Sequence, residues 1–390
     1  MTWIAASKPA CSCGEVRGGA LGGTIMRFVT AASLMLLLCG AAAGADRDAE
    51  RIVARQVQSI VPPDGAGGVA VALRFEGRIS FFNYGWADRA EERRIMTDTL
   101  FNLASLRKVF ETTLLAQAVH KGELRLEDPA AKYVAELQQG GDIRRVTLGQ
   151  LATHTSGLLL PQDHPPWPDR GYALPEFIRT LNAWKAEKSP GQQHLYTHAG
   201  FILLQLALER AYGTPIDELI EQRLLRPLGM SSTVLARGDD GPHGRLPPEL
   251  RSRAAQGYGD KSEPIGASGD QTSYYHWPGT GQMYSSPRDM ALFLAANLGD
   301  PPLERSLREA IALAHRGVLR IGPYNRQALA WEIISGKGPA IVEKYGGLNN
   351  ASAYIGMVPD RKLGIVILGN RGNQYPNEVG RRILLEFAAP

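Results

Sequence analysis

Lys344-Tyr-Gly-Gly-Leu-Asn-Asn-Ala-Ser-Ala-Tyr-Ile-Gly-Met-Val-Pro-Asp-Arg-Lys-Leu-Gly-Ile-Val-Ile-Leu-Gly-Asn370 holds two apolar runs, Ala351–Val358 and Leu363–Leu368, parted by Pro359-Asp-Arg-Lys362. Branched and aromatic residues suit a pleated surface, and the polar insert marks a turn, so the stretch reads as two consecutive strands. A third β-like run, Ala328–Ile334, precedes them, and a helix, about Glu378–Phe387, follows. Near the other end, Gly68–Phe75 and Arg78–Tyr84 flank Glu76-Gly77 and read as a hairpin. Asp46–Ile60 reads as a helix stopped by Pro62-Pro63. Residues about 100–235 are mainly helical, broken by Pro and Gly near 157–170 and 189–191, and 236–280 hold no clear periodic element. Ser286-Pro287-Arg288-Asp289 is a helix start, with Ser as N-cap, Pro at the first position and an acid at the third.

Strands, then a long helical stretch, then strands and a helix imply one antiparallel sheet. The N-terminal hairpin joins the C-terminal strands, and helices flank the result: an α/β fold of the α+β layer type, not a βαβ repeat. The helical stretch, about 100–280, is expected as a lobe inserted in an α/β lobe within one domain, 46–390. The cleft between the lobes is the natural place for a site.

Composition narrows the chemistry. The 390 residues are 44% hydrophobic and 21% charged, the balance of a globular chain rather than a disordered one. The net charge is +4 with Lys and Arg scattered, which speaks against nucleic-acid binding. Cys11, Cys13 and Cys39 all fall in the first 45 residues, so the rest has no disulfide, thiolate zinc site or cysteine nucleophile. His154, His164, His194, His243, His276 and His315 lack metal-ligand spacing, so packing is their default and no metal or cofactor is expected.

The first 45 residues read as a signal peptide. Met26-Arg27 supplies a basic start, with Met26 an alternative initiation site; Phe28 onward is apolar, and Ala43-Gly-Ala45 offers small residues at the cleavage site. The run is short for a membrane anchor and ends in small residues, which favours removal before Asp46. Leu38 before Cys39 does not fit a lipoprotein signal. Export and a cysteine-free mature chain imply a periplasmic or secreted protein with no membrane span after processing.

The chain lacks G-x-S-x-G, H-E-x-x-H and G-x-x-x-x-G-K-[ST]. It has one Ser105-Leu-Arg-Lys108, opening an apolar helical run that Gly122 ends. At i and i+3 the hydroxyl and ammonium share a helix face, where a desolvated lysine can activate a weak nucleophile. Helix-terminal N–H groups would favour an oxyanion. Alone, the tetrapeptide fits an N-cap serine beside a surface lysine better than it fits a nucleophile. Tyr196-Thr-His198 stands about ninety residues on, and Lys344-Tyr-Gly346-Gly347 precedes a strand.

That ordered set resembles the penicillin-recognising serine hydrolases, and the class C β-lactamases most closely. Leu151-Ala-Thr-His-Thr-Ser-Gly157, Arg226-Pro-Leu-Gly-Met230 and Tyr375-Pro-Asn377 also look like signatures of that family. The resemblance runs from about Val69 to the C-terminus. It implies that Ser105 attacks a carbonyl to form an acyl-enzyme and that Lys108 serves its proton relay. Tyr196, between Lys108 and Lys344, would carry the proton. The N–H groups of Ser105 and Gly347 would form the oxyanion hole beside Gly346. Gln162, His198, Tyr345 and Asn377 fall where the family contacts substrate. His198 departs from an asparagine and Tyr345 from a threonine, and Gly279–Ser286 lacks a tyrosine that class C enzymes usually carry. Class A enzymes fit less well, because Ser-Asp-Asn and E-x-x-L-N are missing. The expectation is β-lactam hydrolysis by a monomer acting on a small-molecule β-lactam or peptidoglycan-like substrate. The alternatives are a DD-peptidase or esterase on the same fold, or a non-catalytic penicillin-binding-like protein.

Overall fold

The computed structural model describes residues 47–160, 174–236, 246–269, 282–336 and 338–389. The expected signal peptide and Gln162 lie outside them. Before Arg51 only 47–50 are described, and they are helical. The rest of the chain, from Arg51, forms one compact unit.

Its frame is a nine-stranded sheet. The strands are β1 (Gly68–Phe75), β2 (Arg78–Asp88), β3 (Arg93–Arg94), β7 (Leu319–Arg320), β8 (Asn325–Gln327), β9 (Glu332–Ile334), β10 (Ile341–Leu348), β11 (Ala351–Val358) and β12 (Leu363–Gly369). Their order is β3-β2-β1-β12-β11-β10-β9-β8-β7. The β1–β12 pair, with Val69 opposite Gly369 and Leu73 opposite Ile365, joins the hairpin to the C-terminal strands as the sequence implies. Glu76 and Gly77 both carry positive φ, 49° and 76°, the backbone a two-residue hairpin turn requires. A smaller sheet pairs β4 (Phe101–Asn102), β6 (Met283–Ser285) and β5 (Val234–Leu235), in that order.

Both faces of the large sheet are covered, so β12, LGIVILG, is apolar and buried throughout rather than alternating. Helix α9 (Pro287–Asn297) packs one face, where a Cβ on Gly364 would lie 2.6 Å from Leu294. Helix α11 (Pro376–Phe387) packs the other, where Gly380 leaves room for Tyr354 and no side chain of its own. The remaining helices are α1 (51–57), α2 (Arg107–His120), α3 (Leu148–Ala152), α4 (Leu174–Ala183), α5 (His198–Tyr212), α6 (Ile216–Ile220), α7 (Arg226–Leu228), α8 (Pro248–Arg251) and α10 (Arg305–Ala314).

Helix α2 is buried from Arg107 to Ala118. A helix surrounded on all sides must satisfy its polar groups internally. Arg107 Nε donates to Glu111 Oε1 at 2.7 Å, and Arg107 Nη2 donates to Gln205 Oε1 on α5 at 2.7 Å. Phe110 stacks on Phe293 of α9 with centroids 4.1 Å apart. These contacts fix α2 against both neighbours.

Several elements differ from the sequence reading: β10 is a strand where none was read, and β2 runs on past Tyr84 to Asp88. The run Ala328–Ile334 pairs only as β9; Ala328–Trp331 is a buried turn, with Ala330 at φ 59° and its N–H on Ala152 O at 2.8 Å. Burial selects apolar residues in a turn as in a strand, so composition could not separate them. Helix α1 ends at residue 57, before Ile60, and short α8 falls in a stretch read as lacking periodicity. The helix start at Ser286 is as read: its side chain accepts the Asp289 N–H at 3.1 Å.

Candidate active site

Ser105 lies on a single 3₁₀ turn, Ala104–Leu106, that feeds directly into α2. The residue before it, Ala104, has φ 49°. This left-handed backbone costs a non-glycine residue on the order of 1–3 kcal/mol, and it persists only where the surroundings enforce it. Here Asn102 Oδ1 accepts the Ala104 N–H at 2.9 Å, and Leu348 and Ala351 pack on the Ala104 side chain.

The N-cap alternative for Ser105 fails, because neither cap at this turn has a side-chain cap bond. Nor is Lys108 a surface lysine: it is fully buried, and its Nζ donates to Ser105 Oγ at 3.3 Å. Tyr196 OH donates to the same oxygen at 2.8 Å. Two groups able to exchange protons therefore converge on one hydroxyl. The ring of Tyr196 has Lys108 Nζ 5.4 Å from its centroid and Lys344 Nζ 5.0 Å from it. Tyr196 is 38% exposed, which opens the cluster to a solute, while Lys344 is buried.

Tyr196 is placed by the entry to α5. Thr197 caps that helix, its side chain accepting the Gly200 N–H at 3.1 Å, so Tyr196 is the last residue outside it. Lys344 is placed by β10, where it sits opposite Ile355. Side chains alternate along a strand, so Lys344 and Gly346 face Ser105 and Tyr345 and Gly347 face away. A Cβ on Gly346 would lie 2.8 Å from Ser105 N, so the backbone of β10 runs against the nucleophile turn. Tyr345 leans over Gly347 and pairs with Ser352, near Tyr375; burial raises its phenol pKa. Asn377 is the second residue of α11, and its Oδ1 is buried with no protein partner.

The sequence reading set the remaining histidines aside as packing, but the structure brings two of them to the site. His154 lies 4.2 Å from the Tyr196 ring, and His194 lies edge-on to His154 at 6.0 Å. His198 is edge-on to Tyr196 at 5.6 Å. The clue was in the chain: His154 belongs to Leu151–Gly157, and His194 stands two residues before Tyr196. Burial, then the charges of Lys344 and Lys108, hold His154 well below the usual imidazole range. Burial, then Lys108 and Lys344, do the same for His198. Both rings are neutral near pH 7.

Residues 50–389 match the Beta-lactamase family. A "Beta-lactamase" of Pseudomonas fluorescens is 27% identical over 364 residues, covering 85% of this chain and 95% of that one. A solved structure described as "A class C beta-lactamase" superposes with a TM-score of 0.73 at 25% identity, covering 86% of this chain and 96% of the other. A "Beta-Lactamase/D-Alanine Carboxypeptidase" from Pseudomonas syringae superposes with a TM-score of 0.75 at 25% identity, covering 88% and 100%. The architecture is that of the class C enzymes, and the chain belongs to the β-lactamase family.

Proposed function

We propose that the protein is a serine hydrolase that opens β-lactam rings through an acyl-enzyme, with Ser105 as nucleophile. The observation that carries this reading is the convergence of Lys108 Nζ and Tyr196 OH on Ser105 Oγ, at 3.3 and 2.8 Å. The ammonium groups of Lys108 and Lys344 flank the Tyr196 ring, 5.4 and 5.0 Å from its centroid. As a phenolate, Tyr196 takes the Ser105 proton across that short contact while Oγ bonds to the carbonyl carbon. The N–H groups of Ser105 and Gly347 receive the oxyanion. The tetrahedral centre then collapses, the ring C–N bond breaks, and Tyr196 returns the proton to the leaving nitrogen. Water, deprotonated by the same phenolate, attacks the ester carbonyl; the bond from that carbon to Ser105 Oγ breaks as Tyr196 returns the proton to Oγ, which restores both serine and phenolate.

In this reading Gln162, His198 and Asn377 line the substrate site, while Tyr345, expected there from the resemblance, lies on the face of β10 turned from Ser105. The orphaned amide oxygen of Asn377 is the kind of group a substrate completes. The helical stretch, about 100–280, is a lobe over the sheet, and the site opens in the cleft between them. Residues 1–45 serve as an export signal, the working chain is a periplasmic or secreted monomer, and it contributes to antibiotic resistance. Among the described residues no helix is long and apolar enough to cross a membrane.

A second reading, a DD-peptidase or esterase, is favoured by His198, which changes the surroundings of Tyr196 and leaves the nucleophile and its bases in place. Incubation with a chromogenic cephalosporin, followed by colour and by mass, separates the two. Fast turnover supports the β-lactamase. A long-lived adduct of intact-ligand mass on Ser105 supports the peptidase. Absence of both colour and adduct refutes acyl transfer to this ligand class.

A further inference from the structure

One residue holds Tyr196 at three points. The carbonyl of His154 accepts the Leu195 N–H at 2.7 Å, just before Tyr196. Its Nδ1 accepts the Thr197 N–H at 3.4 Å, just after it. Its ring lies across the Tyr196 ring at 4.2 Å and 31°, backed by Phe201 at 4.9 Å. His154 adopts φ 54°, a conformation that Asn, Asp and His tolerate better than most residues. It is itself buried, 1% exposed, so it offers nothing to a substrate.

The ring must stay neutral for this arrangement. Nδ1 can accept from Thr197 only when it carries no proton, which leaves the proton on Nε2. The groups that face it are Lys344, Lys108, His194 and His198, and none of them is an acid that would stabilise an imidazolium.

We propose that His154 is a positioning residue for Tyr196, a clamp that fixes the angle at which the phenol meets Ser105 Oγ. The inference rests on the reading of Tyr196 as the proton carrier. A reacting group displaced by about 1 Å can lose on the order of a hundredfold in rate. Histidine combines a flat face, an acceptor and tolerance of left-handed backbone; His154→Phe keeps only the face, His154→Asn the acceptor and the backbone tolerance, and His154→Ala none of the three.

The test uses the full enzyme and these three variants beside Tyr196→Phe, with steady-state kinetics on a chromogenic cephalosporin and circular dichroism to count folded protein. His154→Ala is expected to lose about 10- to 100-fold in kcat with KM little changed. His154→Asn and His154→Phe should each recover part of that loss. A folded His154→Ala enzyme with wild-type kcat, or a loss carried by KM alone, overturns the clamp. If His154→Ala does not fold, wild-type kcat in both other variants overturns it. Full activity in Tyr196→Phe would instead refute the role of Tyr196 itself, so the two failures are distinguishable.

Discussion

Gly346 on β10 and Ser105 on the nucleophile turn touch through their backbones: a Cβ at Gly346 would stand 2.8 Å from Ser105 N and 2.8 Å from Leu103 O. Both obstructing atoms are backbone, so nothing flexible can yield. Gly346→Ala must push the strand away from Ser105 and widen the gap that the two oxyanion N–H groups span. Loss of one oxyanion donor costs on the order of 10²–10³ in rate. We expect a loss of that size in acylation, measured by stopped-flow colour release. Gly336→Ala, where a Cβ meets nothing within 4 Å, should leave the rate unchanged.

Ser105→Ala should abolish the covalent adduct while the protein stays folded. Ser105 is buried, and Lys108 and Tyr196 meet its oxygen. Tyr196 is exposed enough for water to replace that contact, so the cost in stability should be about 1 kcal/mol. Intact-protein mass spectrometry after incubation with a β-lactam reads the outcome, and an adduct of undiminished yield in the variant removes Ser105 from the chemistry.

His198 should tune selectivity without taking part in proton transfer. Its neutral ring, edge-on to Tyr196, can offer one hydrogen bond where an amide offers both a donor and an acceptor on one group. His198→Asn should change relative rates among penicillins, cephalosporins and simple esters by up to about tenfold, the worth of one hydrogen bond. Identical selectivity in both proteins would mean that the ring serves packing alone. Loss of all acylation would make His198 the base.

Much of this molecule is legible in its sequence, for physical reasons that also mark where legibility ends. β1, β11 and β12 are buried on both faces, so they read as nearly unbroken apolar runs, whereas β10, which carries Glu343, Lys344 and two glycines, does not read as a strand at all. The Ser286 and Gly122 helix boundaries rest on local cap and backbone chemistry. Ser105 and Lys108 are three residues apart, so their meeting follows from helix geometry. The approach of Tyr196 and Lys344 follows from the resemblance alone, since no local rule brings residues so distant together. The clamp by His154 was not legible, because a neutral buried imidazole and an ordinary core histidine look alike until the hydrogen bonds on both sides of Tyr196 are seen. The buried turn Ala328–Trp331 was misread for a similar reason: its apolar side chains answer to the core and not to a ladder.

The last prediction concerns acid stability. His315 lies edge-on to Trp331 at 5.0 Å, with its Nε2 3.0 Å from Asn297 Oδ1, and burial lowers its pKa to about 4. In the unfolded chain the same group titrates near 6.5. Above pH 6.5 both states are neutral and the stability is fully present. As pH falls from 6.5 toward 4, the unfolded state takes up a proton that the folded state refuses. Stability is therefore lost on the acid side, by about 1.4 kcal/mol per pH unit for each such histidine. His154, His194 and His198 add the same sign, whereas buried Glu111 and Asp289, raised by burial, act in the opposite direction at pH values above their unfolded pKa. A single substitution isolates the contribution of His315 from the others. His315→Gln can keep a donor to Asn297 and does not titrate. It should be less stable than wild type at pH 7.5, from lost packing on Trp331. That deficit should shrink by about 2 kcal/mol at pH 5.0, as wild type alone loses the His315 contribution. Urea unfolding of both proteins at the two pH values measures the difference, and parallel losses would show that His315 binds its proton equally in the folded and unfolded states.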